Sequence, residues 1–174
     1  MKKPLAMGAA FLALSATSVL ADDWTGFYAG ASTGSLEVDT GAAGFKENDT
    51  NFGVHAGYRS DAGRLVFGGE FEYDWADVEL VPGAISADRV MRLKATAGYD
   101  FGQTLVYLAA GTAEVDVDGL GSDWGGFFGL GAAYAVSPQA IVGLELLEHN
   151  FTDIGGSGID ADAWSASLRA SWKF

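Results

Sequence analysis

The chain has no cysteine, only three prolines, and 10 lysines and arginines against 23 aspartates and glutamates. Without cysteine there is neither a disulfide framework nor a thiolate metal site. The formal charge of −13 argues against nucleic acid or an anionic membrane surface as electrostatic partner. The 25 glycines follow no fixed short repeat, which removes collagen-like and low-complexity readings. Beyond the first 21 residues there is no uninterrupted apolar run of about 18 residues, so no segment there reads as a spanning helix. Lipid admits only helices and closed barrels, because every backbone polar group must be satisfied internally. A chain of this kind that crosses a membrane does so with strands.

The N-terminus reads as a secretory leader. Lys2 and Lys3 precede a short apolar stretch from Leu5 to Leu14, and Val19-Leu20-Ala21 supplies a cleavage site. The apolar run is short for an uncleaved anchor. Residues 1–21 are therefore expected to be a cleaved signal peptide and residues 22–174 a single domain.

The far end carries the clearest pattern. Trp164, Ala166, Leu168, Ala170, Trp172 and Phe174 alternate with Ser165, Ser167, Arg169, Ser171 and Lys173. A period of two places these sets on opposite faces of one strand. An apolar face ending in aromatics, opposite a cationic face, fits a strand with lipid outside and a polar interior.

Seven earlier segments repeat the scheme. In Phe27–Ser35, Tyr28, Gly30, Ser32 and Gly34 face inward, and in Phe52–Arg59 so do Gly53, His55, Gly57 and Arg59. Leu65–Trp75 sets Leu65, Phe67, Phe71, Tyr73 and Trp75 against Glu70, Glu72 and Asp74, and Arg89–Tyr99 sets Met91, Leu93 and Tyr99 against Arg92 and Lys94. Thr104–Val115 is ambiguous, since Val106 and Leu108 share parity with Thr104 and Glu114. Trp124–Ala135 and Ala140–Glu148 precede the terminal strand. In the last of these Glu145 and Glu148 have opposite parity; Glu145 inward, with Val142, Leu144 and Leu146 to lipid and Glu148 at the outer rim, is the cleaner solution.

Short connections at Ser60–Arg64, Asp100–Gln103 and Ser137–Gln139 alternate with long ones at Leu36–Asn51, Ala76–Asp88, Asp116–Asp123 and Phe151–Ala163. The expected fold is all-β: an eight-stranded antiparallel up-and-down transmembrane β-barrel, tight turns inside and longer loops outside. Phe52, Trp75, Trp124 and Trp164 then form an outer aromatic girdle, and Trp24, Phe27, Tyr58, Tyr99, Tyr134, Trp172 and Phe174 an inner one. A soluble eight-stranded ligand-binding barrel would alternate too, but with charges outward and aromatics inward.

Eight strands enclose little more than their own side chains. Folding the third and fourth strands about Pro82 sets Glu70 opposite Lys94 and Glu72 opposite Arg92, and folding the last hairpin near Ser157 sets Glu145 opposite Arg169. Unpaired charge in a narrow lumen is costly, so these residues read as a plug of ion pairs. A proton relay or catalytic dyad is the sharper and less common reading. His149, in Glu148-His149-Asn150, lacks the Ser two residues later that lipid A deacylase barrels carry, and His55 has no sequence-adjacent Ser. There is no metal-spaced His cluster or phosphate loop. No catalytic residue, cofactor site or metal site is assigned.

The long connections are acidic: Glu37, Asp39, Glu47, Asp49, Asp77, Glu79, Asp88, Asp116, Asp118, Asp123, Asp153, Asp160 and Asp162, against few cations, chiefly Lys46 and Arg89. Solvation is the simpler explanation. The sharper one is divalent bridging to lipopolysaccharide, since carboxylates are good Ca²⁺ and Mg²⁺ ligands.

Trp24-Thr-Gly-Phe-Tyr-Ala-Gly30, Gly143-Leu-Glu-Leu146 and the Trp172-Lys-Phe174 ending resemble the small outer-membrane β-barrel family of Gram-negative bacteria. That group includes opacity-type proteins, porin-like surface antigens and the transmembrane domain of outer membrane protein A. Leu146 stands where the family usually has an aromatic. The resemblance implies a monomer in the cell outer membrane, embedded among its lipids and lipopolysaccharide. It further implies recognition of the C-terminal strand by the barrel-assembly machinery, and no peptidoglycan-binding domain after Phe174. The expected role is structural support of the envelope or contact with external partners; the alternatives are a narrow porin and, less favoured, a lipid-modifying enzyme.

Overall fold

The computed structural model describes residues 23–39, 46–81, 85–117, 121–151 and 161–174. The expected leader, the Pro82 turn, Asp118, Asp153, Asp160 and the Gly155-Gly156-Ser157-Gly158 stretch lie outside the described residues. The strands are β1 Gly26–Asp39, β2 Lys46–Ala62, β3 Leu65–Val81, β4 Ile85–Asp100, β5 Thr104–Val117, β6 Gly121–Ala135, β7 Ala140–Phe151 and β8 Ala161–Lys173. Each pairs antiparallel with the next, and β8 returns to β1, closing the barrel. Closure matters because an open edge in lipid would leave a row of amide and carbonyl groups without partners.

Alternation decides the faces. Leu168 is 60 % exposed and its neighbour Arg169 6 %. Phe27, Phe52, Phe67, Phe71, Trp75, Leu93, Trp124, Phe128, Leu144, Trp172 and Phe174 all project outward, whereas Glu70, Glu72, Asp74, Arg92, Lys94, Glu145 and Arg169 are buried. This inverts the order of a soluble barrel. Trp164 and Trp172 are eight residues apart on β8, about 26 Å of strand at ~3.3 Å per residue. A tilt of about 40° projects that to roughly 20 Å, close to the height of a lipid-facing band.

Three expectations need correction. The long connections are shorter than expected: β1 continues to Asp39, β2 begins at Lys46, and β3 and β4 run to Val81 and from Ile85. Beyond the lipid a strand needs no greasy face, so the alternation fades while the ladder goes on. Trp24 does not join the inner girdle. It precedes β1, Gly26 turns the chain at φ 140°, and the indole is buried in the inner mouth, donating to Asp100 Oδ1 and to the Gly102 carbonyl at 3.2 Å each. The last hairpin pairs Arg169 with Gly143 and Glu145 with Ser167, two residues from the expected register. An even slip keeps every side chain on its face, so the inward set is unchanged.

The register of β3 on β4 and the short turns follow the sequence reading. Glu70 pairs with Lys94 and Glu72 with Arg92. The short turns use Gly63 and Gly102 at φ 85°, a conformation suited to glycine. In β7, Glu145 is buried, Val142, Leu144 and Leu146 are exposed, and Glu148 lies on the outer face at the level of Trp164. The ambiguous β5 resolves with Val106 and Leu108 outward and Leu105, Tyr107, Ala109 and Ala113 inward. With Val66, Val90, Phe127, Ala133, Ala135, Ile141 and Leu147 these form an apolar half of the interior.

Glycines shape the other half. Tyr107, Gly131 and Glu145 are consecutive partners across β5, β6 and β7, and Tyr28, Gly57 and Glu70 across β1, β2 and β3. In each row the tyrosine ring lies over the glycine. A Cβ on Gly57 would sit 2.6 Å from Tyr28 Oη, and one on Gly131 would collide with the Tyr107 ring. We predict that Gly131→Ala destabilises the barrel by roughly 1–3 kcal/mol through overpacking. Tyr107→Leu on that background restores part of the loss, as measured by urea unfolding in lipid vesicles.

Candidate functional site

The most concentrated chemistry lies on the barrel axis. β3 contributes Glu70, Glu72 and Asp74, β4 Arg92 and Lys94, β7 Glu145 and β8 Arg169; β5 and β6 contribute no buried charge among the described residues. Lys94 Nζ donates to Glu70 Oε1 at 2.9 Å, Glu72 Oε2 at 2.7 Å and Glu145 Oε1 at 2.6 Å. An ammonium has three protons and no acceptor, so these three carboxylates use its whole donor capacity. Arg169 grips the same three, Glu70 Oε1 at 2.6 Å, Glu145 Oε1 at 2.8 Å and Glu72 Oε2 at 3.0 Å. The guanidinium reaches Glu145 diagonally, which is how the pair survives the two-residue slip.

Above this knot Arg92 divides its bonds. Its guanidinium pairs closely with Asp74, lies 3.5 Å from Glu72 Oε1, and donates from Nε to His149 Nε2 at 2.9 Å. Below it, Tyr28 donates to Glu70 Oε2 at 2.7 Å and Tyr107 to Glu145 Oε2 at 2.8 Å. The inner end is closed by Arg59, whose guanidinium stands over the rings of Tyr28 at 4.3 Å, Trp24 at 5.7 Å and Tyr107 at 5.9 Å.

Sequence reasoning brought the two carboxylate–cation pairs of β3 and β4 together and reached Arg169. It missed the bonds of Tyr28 and Tyr107 to the carboxylates, the burial of Trp24 and the role of Asp74. The row pattern of tyrosine, glycine and glutamate on successive strands was the available signal, but it is visible only once register is known. The histidines also differ from expectation. His55 Nε2 lies 2.7 Å from Ser171 Oγ, a serine 116 positions away. The imidazole is wedged beside Gly30, where a Cβ would come within 2.6 Å of Nε2. The lone pair of His149 Nε2, which a general base would use, accepts from Arg92. Among the described residues no three His, Asp or Glu side chains converge as metal ligands.

The family is decided by likeness over nearly the whole length: residues 6–174 match the outer membrane protein beta-barrel domain. The chain belongs to that family. Neisserial surface protein A is similar in structure, with 21 % identity over 86 % of this chain and 98 % of that one at a TM-score of 0.57. Ail, the attachment invasion locus protein of Yersinia pestis, shares 14 % identity over 86 % and 99 % of the two chains, also at 0.57. At these identities the likeness is one of fold. Among curated proteins none matches by sequence. The protein is thus an outer-membrane β-barrel of eight strands.

Loss of Lys94 removes one of the two cations that three buried carboxylates share. Lys94→Met is predicted to cost roughly 3–5 kcal/mol, the scale for breaking a buried pair. Lys94→Met with Glu145→Gln recovers part of that cost. Unfolding free energies of the two variants in vesicles check both statements.

Proposed function

We propose that the barrel is a closed support that presents its outer strand extensions and loops at the cell surface, serving envelope integrity or contact with external partners. The observation that carries this reading is the plug: one lysine and one arginine each bind the same three carboxylates, contributed by β3 and β7. Every one of these side chains is buried, and the Trp24–Arg59 stack seals the inner mouth. Moving an ion through would mean parting several buried ion pairs at once, each strongly favoured against an uncompensated charge. The same packing speaks against an enzyme, since Nε2 of both His55 and His149 is engaged within the wall.

Ail has been crystallised with a heparin analogue, sucrose octasulfate. That ligand class does not suit this chain. Its outer segments carry Glu37, Asp39, Glu47, Asp49, Asp77, Glu79, Asp116, Asp123 and Asp162 with few cations, and would repel a polyanion. An acidic exterior instead favours cationic partners, or divalent ions bridging to lipopolysaccharide. In this reading the protein is a monomer with both ends of its mature chain in the periplasm. A leader spanning residues 1–21 directs its export, and its C-terminal strand is read by the assembly machinery.

The second reading, a narrow porin, predicts conductance. In planar bilayers the wild-type barrel is expected to be silent, and Glu70→Gln with Lys94→Met to remain so while folded; steady single-channel steps from the wild type would favour the porin. For the outer surface, chelator is expected to lower thermal stability in lipopolysaccharide-containing membranes, and Asp116→Asn with Asp118→Asn to abolish that sensitivity. Indifference to chelator leaves plain solvation as the role of the acidic residues.

A further inference from the structure

The Tyr–Gly–Glu rows have a third counterpart that does not close. Ser32, Gly53 and Asp74 are consecutive partners across β1, β2 and β3, one level outward from Gly30, His55 and Glu72. Here the hydroxyl belongs to a serine, which is too short to cross the glycine. Ser32 Oγ and Asp74 Oδ1 both crowd the point that a Cβ on Gly53 would occupy, Ser32 Oγ at 2.8 Å from it, yet neither oxygen has a hydrogen-bond partner among the described residues. Asn51, two residues along β2 on the same inner face and paired with side-chain-free Gly34, adds a third oxygen, Oδ1, without a partner among the described residues. All three residues are more than nine-tenths buried. Buried acceptors left bare are costly and are rarely tolerated.

Charge selects what satisfies them. The four carboxylates of the plug, Glu70, Glu72, Asp74 and Glu145, touch three cations, Arg92, Lys94 and Arg169. One negative charge is left over among these groups. The fourth buried cation, Arg59, lies at the opposite end against aromatic rings. Asp74 is the outermost of the four acids and, among the described residues, the only one of them with an oxygen that has no partner. A carboxylate, a hydroxyl and an amide carbonyl are hard oxygen donors, the set preferred by alkali and alkaline-earth ions. Arg92, bound to the other oxygen of Asp74, disfavours a second positive charge on the ligand, so the fit is to a monovalent ion.

We propose that Ser32 Oγ, Asn51 Oδ1 and Asp74 Oδ1 form a sodium-sized monovalent cation site above Gly53 in the outer half of the barrel, completing the charge balance of the plug. Such an ion binds the folded barrel and not the unfolded chain, so it stabilises by mass action.

The test compares thermal unfolding of the purified full barrel in sodium chloride and in choline chloride at equal ionic strength. Sodium is expected to raise Tm by on the order of 5 °C with a saturable dose dependence. Ser32→Ala keeps the Asp74–Arg92 pair and removes one ligand; its half-saturating sodium concentration should rise about tenfold. Asp74→Asn should abolish the sodium effect. Crystals soaked in thallium(I) should show anomalous density beside Asp74 Oδ1. Equal melting in the two salts overturns the proposal and leaves a water or a proton to satisfy these oxygens. A sodium effect unchanged in Ser32→Ala and in Asp74→Asn overturns it too, by placing the ion elsewhere.

Discussion

A strand in lipid has no water to complete its hydrogen bonds, so its neighbours must. In this chain that demand is met last where β8 pairs with β1, from Tyr28 opposite Lys173 to Asp39 opposite Asp162. Once the ladder closes, each strand has one face toward hydrocarbon and one toward a narrow lumen. The period of two then stops being a tendency and becomes a rule. Leu168 and Arg169 cannot exchange places without placing a guanidinium in lipid and a leucine among carboxylates.

Closure also creates the problem that the interior solves. Charges buried in a lumen of this width need partners, and they come from strands far apart in sequence: β3 and β4 on one side, β7 and β8 on the other. β5 and β6 supply Leu105, Ala109, Ala113 and Phe127 instead. The interior is therefore divided, an apolar half packed by side-chain volume and an ionic half held by direction. Glycines belong to the second half because long side chains must lie across the wall to reach their acceptors. Tyr28 over Gly57 and Tyr107 over Gly131 show the same device twice.

Most of the barrel could be read in advance from residues that have no choice. Glu70, Glu72, Arg92 and Lys94 alternate with large apolar neighbours, and parity alone sends them inward. Pairing across the third and fourth strands followed from folding them about Pro82. The last hairpin was harder: its register was off by two, since a longer connection constrains the pairing less, and only the reach of Arg169 kept its contact with Glu145. Trp24 was misplaced because parity says nothing about a residue that precedes its strand. The His55–Ser171 contact joins β2 to β8 across β1, a proximity that no local pattern announces.

Alternation, charge sign and the spacing of turns were enough to specify eight strands, their faces and a paired interior, because those properties depend on each residue's own chemistry and on the residue two positions away. Which carboxylate meets which cation, which tyrosine crosses which glycine, and which oxygens are left over beside Gly53 depend on rows of residues from three or four different strands. Those rows exist only after the sheet has closed and its registers are set, so the tertiary structure alone decided them.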